Sequence, residues 1–395
     1  ISDELRSNFS TMRELSRFTR IAPTGRCNGV YGFLKRVNQN PSASTYLNSW
    51  GVDFNRQLIT LPGRKFPPEK VYFNDEANPA TPTDDNLDWS QSFRNAHLLN
   101  AGKIKSWVWF SSQRDQQSAQ DFCKILLQSC NQLGFSVPQP DMITVRGSSA
   151  SDFVRGFSEI RKKDYDMALF LIPPNRKEIY DAIKVTCCVE IPIPSQVVLT
   201  KTVTRPKGVM SVATKISVQI CAKLGGEPWC VAIPSKQKMI VGIDVCHDTG
   251  SKANSWLGFV ASLNNSFTRY YSKATRQPSR TEIADSLYAN MKNALEQYYK
   301  FNKCMPDAVI IYRDGVGDGQ LEVVRLHELP SVQTCLEETC SKYGTVPTLA
   351  YLIVRKRINT RLFTVGSTSA SNPLPGSLVD RIITRDDCPN FYLVS

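Results

Sequence analysis

Two short apolar runs, seventy positions apart, dominate the pattern of this chain. Met239-Ile240-Val241-Gly242-Ile243-Asp244-Val245 and Ala308-Val309-Ile310-Ile311-Tyr312-Arg313-Asp314-Gly315 are rich in β-branched residues, and each leads into an aspartate. Runs of this length and kind predict buried strands. Residues 256–263 and 267–271 predict an antiparallel hairpin turning at Asn264-Asn265, and 281–299 a helix. After the second run come a glycine-bearing turn over 315–320, a short helix through Leu321 and Val324, a helix over 332–342 and a strand over 349–354.

Upstream the rhythm is a different one. From about residue 104, apolar runs at 104–110, 142–145 and 167–172 alternate with helical spacing at 118–133, 152–161 and through Tyr180 and Lys184. That order predicts a parallel sheet with helices on its faces, a Rossmann-like layer structure. It lacks the GxGxxG fingerprint of a dinucleotide site. Residues 191–196 are extended, and 211–223 predict a helix stopped by Leu224-Gly225-Gly226. Residues 1–20 predict a helix opened by a capping box at Thr11 and Glu14. Gly25, Gly29, Gly32 and Pro41 suggest turns, and Leu58-Ile59-Thr60-Leu61 with Val71-Tyr72-Phe73 a strand pair. Residues 74–93 are polar and proline-bearing, as a loop or linker would be. The later plan, a three-strand hairpin series, a helix, then a strand with an acidic end, is that of ribonuclease H. The fold class is therefore α/β.

Composition narrows the function. With 395 residues, two domains and a linker region are expected, and 41% hydrophobic content is enough for sizeable cores. A chain opening on Ile1 reads as a piece of a longer protein. No stretch of 18 apolar residues exists, so no membrane span is expected, and no secretory signal is visible. The net charge of +12 and pI near 9.1 favour a polyanionic partner, nucleic acid above all. The 12 cysteines are scattered without a CxxC pair, which points to reduced thiols in a cytosolic or nuclear setting. Cys335 and Cys340 read as helix packing. With three histidines, His97, His247 and His327, a histidine-built metal site is not expected.

Candidate chemistry follows from placement. In an open α/β sheet, ligands collect at the carboxyl ends of strands, where Asp244 and Asp314 would sit. Two such carboxylates repel unless a cation lies between them, and Mg²⁺, with its preference for oxygen, suits the role. Either aspartate alone could simply cap the next helix. Lys215, Gln219 and Lys223 lie four apart and form one stripe of a helix, as do Tyr180 and Lys184. Together they could make a phosphate pocket, or only a solvated face. Arg355, Lys356, Arg357 and Arg361 form a basic cluster after the last strand.

These motifs resemble the MID and PIWI domains of the Argonaute family, its PIWI clade in particular. The resemblance rests on the two aspartate runs, the latter continued as Gly315-Val316-Gly317-Asp318-Gly319-Gln320. It also rests on Asn359-Thr360-Arg361-Leu362-Phe363, on Asn372-Pro373-Leu374-Pro375-Gly376-Ser377 and on Lys223-Leu224-Gly225-Gly226 at the domain junction. It covers nearly the whole chain: a linker region over 1–100, a Rossmann-like MID domain over 101–232 and a ribonuclease-H-like PIWI domain over 233–395.

The resemblance implies an RNA slicer with an Asp-Glu-Asp-His tetrad. Asp244 matches the first member and Asp314 the third. Glu282 stands where the family places its glutamate; spacing alone does not choose it over Asp285 or Glu296. No histidine of this chain fits the fourth position: His327 follows Asp314 too closely and His247 precedes it. The chain ends at Ser395, so a fragment is expected rather than an evolved loss. The guide 5′-phosphate pocket maps onto Tyr180, Lys184, Gln196, Gln219 and Lys223. Gln219 is the PIWI-clade choice and implies a Mg²⁺ at the guide 5′ end besides the catalytic pair at Asp244 and Asp314. Arg355, Lys356, Arg357 and Arg361 would neutralise RNA phosphates.

The implied partners are a PIWI-interacting guide RNA and a complementary target RNA. Tudor-domain proteins would join through an N-terminus absent from this chain. The implied role is transposon silencing in the germline, from perinuclear cytoplasmic granules or the nucleus. A guide-binding recruiter without slicing, and a ribonuclease-H-like nuclease without a guide, are the rivals.

Overall fold

The computed structural model describes residues 2–395 apart from 3, 4, 7, 56, 75–78, 83, 84, 86, 95, 162, 205, 206, 235, 236, 248–253, 279–283, 357, 367, 368 and 385–387. The chain forms two compact units. One comprises Ile1–Pro68, Thr83–Asp88 and Arg357–Ser395; the other comprises Glu69–Pro82 and Trp89–Lys356.

The first unit includes the helices α1 (Phe9–Thr19), α2 (Pro23–Asn38) and α3 (Pro41–Ser49). Here the turn expectation fails. Gly25, Gly29 and Gly32 lie inside α2, and Pro41 takes the first position of α3, where its missing N–H costs nothing. The capping box fails too: Asn8 caps α1, its side chain accepting from the Thr11 N–H. Leu58–Leu61 is not a strand. The strand of that neighbourhood is Arg64–Lys65, which pairs with Ser377–Val379, itself paired with Tyr392–Leu393. Periodicity could not show these partners, because they lie more than three hundred positions downstream.

The second unit is built on two larger sheets among its described residues. The first is parallel, ordered β2-β1-β3-β4, from β1 (Trp107–Ser112), β2 (Asp141–Val145), β3 (Met167–Ile172) and β4 (Ser195–Leu199). Its central strands β1 and β3 are buried throughout, as continuous apolar runs require when both faces are covered. Trp107, Trp109, Met167, Leu169 and Leu171 pack against α4 (Gln116–Gln132). Val108, Phe110, Ala168 and Phe170 face the opposite way, toward α5 (Ala150–Ile160) and α6 (Lys177–Val185), where Phe110, Phe157 and Phe170 stack. Each such ring withdrawn from water contributes about 1.5–3 kcal/mol. Helix α7 (Val209–Lys223) joins the α4 layer through Ala213, Ile216, Ile220 and Cys221. Gly225 ends it at φ +78°, a backbone that favours glycine.

The second sheet is mixed, ordered β7-β6-β5-β8-β9, from β5 (Lys238–His247), β6 (Asn254–Ser262), β7 (Tyr270–Pro278), β8 (Ala308–Asp314) and β9 (Thr348–Val354). β5, β6 and β7 pair antiparallel; β8 pairs parallel with β5 and with β9. Met239, Val241, Ile243, Leu257, Phe259, Val309 and Ile311 point to one face, covered by α8 (Ala284–Asn302) and α9 (Leu329–Cys340). Cys335 and Cys340 are buried in that layer. The other face carries Asp244, Trp256, Val260 and Tyr312, all exposed. This is the ribonuclease-H plan.

Residues 71–73 and 89–93 contribute more than a loop. Val71–Tyr72 pairs with Cys230–Val231, and beside that pairing Trp89, Phe93 and Trp229 meet edge-to-face, with the Phe73 ring tilted against Trp89 and Phe93. Glu227, just past the end of α7, forms an isolated β-bridge with Asn100. It accepts from Arg269 (Nη2 at 2.6 Å, Nε at 2.9 Å), from Asn100 Nδ2 at 3.2 Å and from the Thr268 hydroxyl. Burial alone would raise its pKa; these donors outweigh that and hold it below the usual carboxylate range. Among the described residues no helix is long and apolar enough to cross a membrane.

Candidate functional site

Asp244 and Asp314 come together because their strands are neighbours. The parallel register sets Arg313 opposite Ile243, so one residue further on the two aspartates lie side by side on the uncovered face. β8 ends at Asp314. β5 runs three residues past Asp244 to His247, paired there with β6, so only Asp314 closes its strand. Gly315, at φ +81°, turns the chain tightly, and a Cβ there would stand 3.7 Å from Asp244 Oδ1. Each carboxylate also accepts from the next backbone N–H, Val245 at 2.8 Å and Gly315 at 2.9 Å.

The charge near this pair is supplied by the two residues that follow β9. Lys356 Nζ lies 2.5 Å from Asp314 Oδ2 and holds that carboxyl below its ordinary range. The lysine is raised in return by Asp314, with a smaller contribution from Asp244. Arg355 makes two bonds to Asp318, at 2.6 and 2.9 Å. So two of the cations expected to meet RNA are paired with aspartates of the 314–320 turn. Arg361 bonds the carbonyls of Ile358 and Thr360 and belongs to the other compact unit. Arg357 and Glu282 lie outside the described residues. Among the described residues no three His, Cys, Asp or Glu side chains converge as a metal cluster. Two carboxylates on one face that already draw an ammonium do suit a hard cation. His327 lies on the π-helical turn Val324–Glu328, before α9.

Beneath Asp314 the site rests on a buried ion pair that the pattern analysis missed. Arg313 and Glu328, 4% and 2% exposed, bond through Nε at 3.0 Å and Nη2 at 3.1 Å, and the Tyr351 hydroxyl donates to Glu328 at 2.6 Å. A signal was available, since an arginine inside an apolar strand needs a buried carboxylate.

A second constellation forms at the edge of the parallel sheet. Lys223 Nζ donates to the Ser195 carbonyl at 2.7 Å and to Gln196 Oε1 at 2.7 Å. Lys184 Nζ reaches the same carbonyl at 3.2 Å and the Ser195 hydroxyl at 2.8 Å. Gln196 Nε2 donates to Gln219 Oε1 at 3.0 Å, and Lys184 lies 5.8 Å from the centre of the exposed Tyr180 ring. All five residues singled out for the pocket are thus brought together, with Ser195 as the joint the sequence did not reveal. Desolvation, then the charge of Lys184, pushes Lys223 below its usual pKa. Two ammoniums meeting on one carbonyl with no carboxylate paired to either, among the described residues, make a place for an anion.

A parallel MID-type sheet leading into a ribonuclease-H-like sheet defines the class. The Piwi domain family matches residues 167–395. The whole chain is 36% identical to Piwi-like protein Ago3 of Bombyx mori, covering 42% of that protein, and 35% identical to Piwi-like protein Siwi of Bombyx mori, covering 44%. The crystal structure of Drosophila Piwi superposes with a TM-score of 0.87 at 27% identity, over 98% of this chain and 53% of that one. The chain belongs to the Argonaute family, in its PIWI clade. It spans less than half the length of those two relatives.

Proposed function

We propose that the protein containing this chain binds a PIWI-interacting guide RNA by its 5′ phosphate and cleaves complementary target RNA, silencing transposons in the germline. The observation that carries the reading is the adjacency of Asp244 and Asp314 in one molecule with the Lys184–Lys223 anion pocket. The lysines receive the guide phosphate, and Tyr180 offers its ring to the first base. Gln219, whose Oε1 now accepts from Gln196, would hold a cation at that phosphate. Base pairing reads the target, and protein contacts read backbone and shape.

Asp244, Asp314 and Glu282 would hold magnesium at the target phosphate. When bound, the metal supplies a water of lowered pKa and charge for the leaving 3′ oxygen. The two aspartates would fix where the cation, and through it the phosphate, sits on the uncovered face. Lys356 supplies the balancing positive charge, and Arg355 is held beside it by Asp318.

The test uses the full-length protein with a 5′-phosphorylated guide and a matched RNA, comparing wild type with Asp314→Ala. Wild type cuts in magnesium, the variant does not, and both hold the guide equally. Equal cleavage by both, or cleavage by neither, overturns the slicer reading and leaves a recruiter. Guide binding that ignores removal of the 5′ phosphate overturns the pocket.

A further inference from the structure

Arg313 interrupts the inward series of β8. Val309 and Ile311 fill the same face with apolar side chains, and a third apolar residue would continue the packing without desolvating a charge. The guanidinium divides its donors between two acceptors. Nε and Nη2 grip both oxygens of Glu328; Nη1 turns back to the Asp314 carbonyl at 2.5 Å. That carbonyl is the last of β8, immediately before the left-handed turn at Gly315. Glu328 is in turn held by Tyr351 of β9. One side chain therefore ties the main chain at Asp314 to the π-helical turn carrying Glu328 and, through it, to the next strand.

A buried ion pair of this kind adds little net stability over apolar residues of equal volume. Its distinctive product is geometry: a planar fork with fixed donor directions leaves Asp314 little freedom to rotate about the strand end. We propose that Arg313, clamped by Glu328 and Tyr351, is a positioning residue that sets the Asp314 carboxylate for metal and target phosphate. This rests on the nuclease reading above. The clamp acts on a centre where displacement of about 1 Å can cost on the order of a hundredfold in rate.

The experiment separates position from stability. In the full-length protein, Arg313→Met, Glu328→Leu and Tyr351→Phe are combined, so that no charge or hydroxyl is left buried without a partner. Melting temperature, guide affinity, Mn²⁺ affinity by electron paramagnetic resonance, and single-turnover cleavage at saturating target are measured. The fold and guide affinity are expected to be kept, while Mn²⁺ affinity and cleavage fall about tenfold or more with unchanged KM for target. A triple variant with wild-type Mn²⁺ affinity and cleavage would show the clamp to be core packing only and overturn the inference.

Should the triple variant not fold, Arg313→Lys decides. A lysine keeps the charge for Glu328 but cannot span both acceptors, so the same losses are expected, and wild-type behaviour overturns the proposal. If wild type does not cleave at all, the nuclease reading fails by itself. Mn²⁺ affinity, compared among wild type, Asp314→Ala and the clamp variants, then judges the inference alone.

Discussion

Lys356 Nζ and Asp314 Oδ2 stand 2.5 Å apart, so a carboxylate proposed above to hold a divalent ion already has a monovalent partner. The lysine is 70% exposed, so solvent screens the pair and it competes only weakly. Lys356→Met should lower the Mg²⁺ concentration for half-maximal cleavage by roughly two- to fivefold. It should also move the acid end of metal binding to higher pH, because Asp314 loses the partner that depresses its pKa. A magnesium titration at several pH values reads both effects. An unchanged midpoint would show that the lysine leaves the carboxylate without cost.

The anion pocket makes a pH prediction of opposite origin. Lys223 titrates below its ordinary 10.5 in the folded protein, so between the two values the unfolded chain binds more protons and stability rises with pH. A bound phosphate raises the lysine again. Guide binding should therefore take up a proton in that alkaline window and weaken as pH climbs through it. Calorimetry in two buffers of different ionisation enthalpy detects the uptake; Lys223→Met should abolish it.

Tyr180 should contribute by stacking. Tyr180→Ala is expected to weaken guide binding by about 1–3 kcal/mol, while Tyr180→Phe stays near wild type. Filter binding with a 5′-phosphorylated guide measures it. A loss as large for phenylalanine would shift the role to the hydroxyl.

Glu227 ties Asn100, upstream of β1, to Thr268 and Arg269, just before β7. Glu227→Ala removes several charge-assisted bonds and leaves Arg269, half in solvent, without its partner; a loss of about 2–3 kcal/mol of stability is expected. The folded pKa of Glu227 is depressed, so its contribution is complete above the unfolded value and disappears as pH falls through the folded one. Denaturant unfolding of wild type and variant should converge at strongly acid pH.

What was legible in the sequence tracks the range of the interactions. The strand runs at 167–172 and 308–314 were readable because burial on a sheet imposes its composition locally. Tyr180, Lys184, Gln219 and Lys223 lie on two helices at one-turn spacing, so their faces were readable too, and the resemblance joined them. Glu328 and Tyr351 were not, because the pairing that calls them in is tertiary. The glycines of α2 misled because glycine's low helix propensity is a weak prior that a helix lying among other segments can override. The strand Arg64–Lys65 was missed because its partner comes from the far end of the chain.

The parallel pairing of β5 with β8 also has a consequence for biogenesis. The chain between them contains a complete hairpin and the helix α8, and all of it must be made before the two strands can lie together. Non-local pairings of this kind form late and slowly. A nascent polypeptide released early would carry Asp244 without Asp314 beside it, so the paired carboxylates exist only once β8 has been made and has docked.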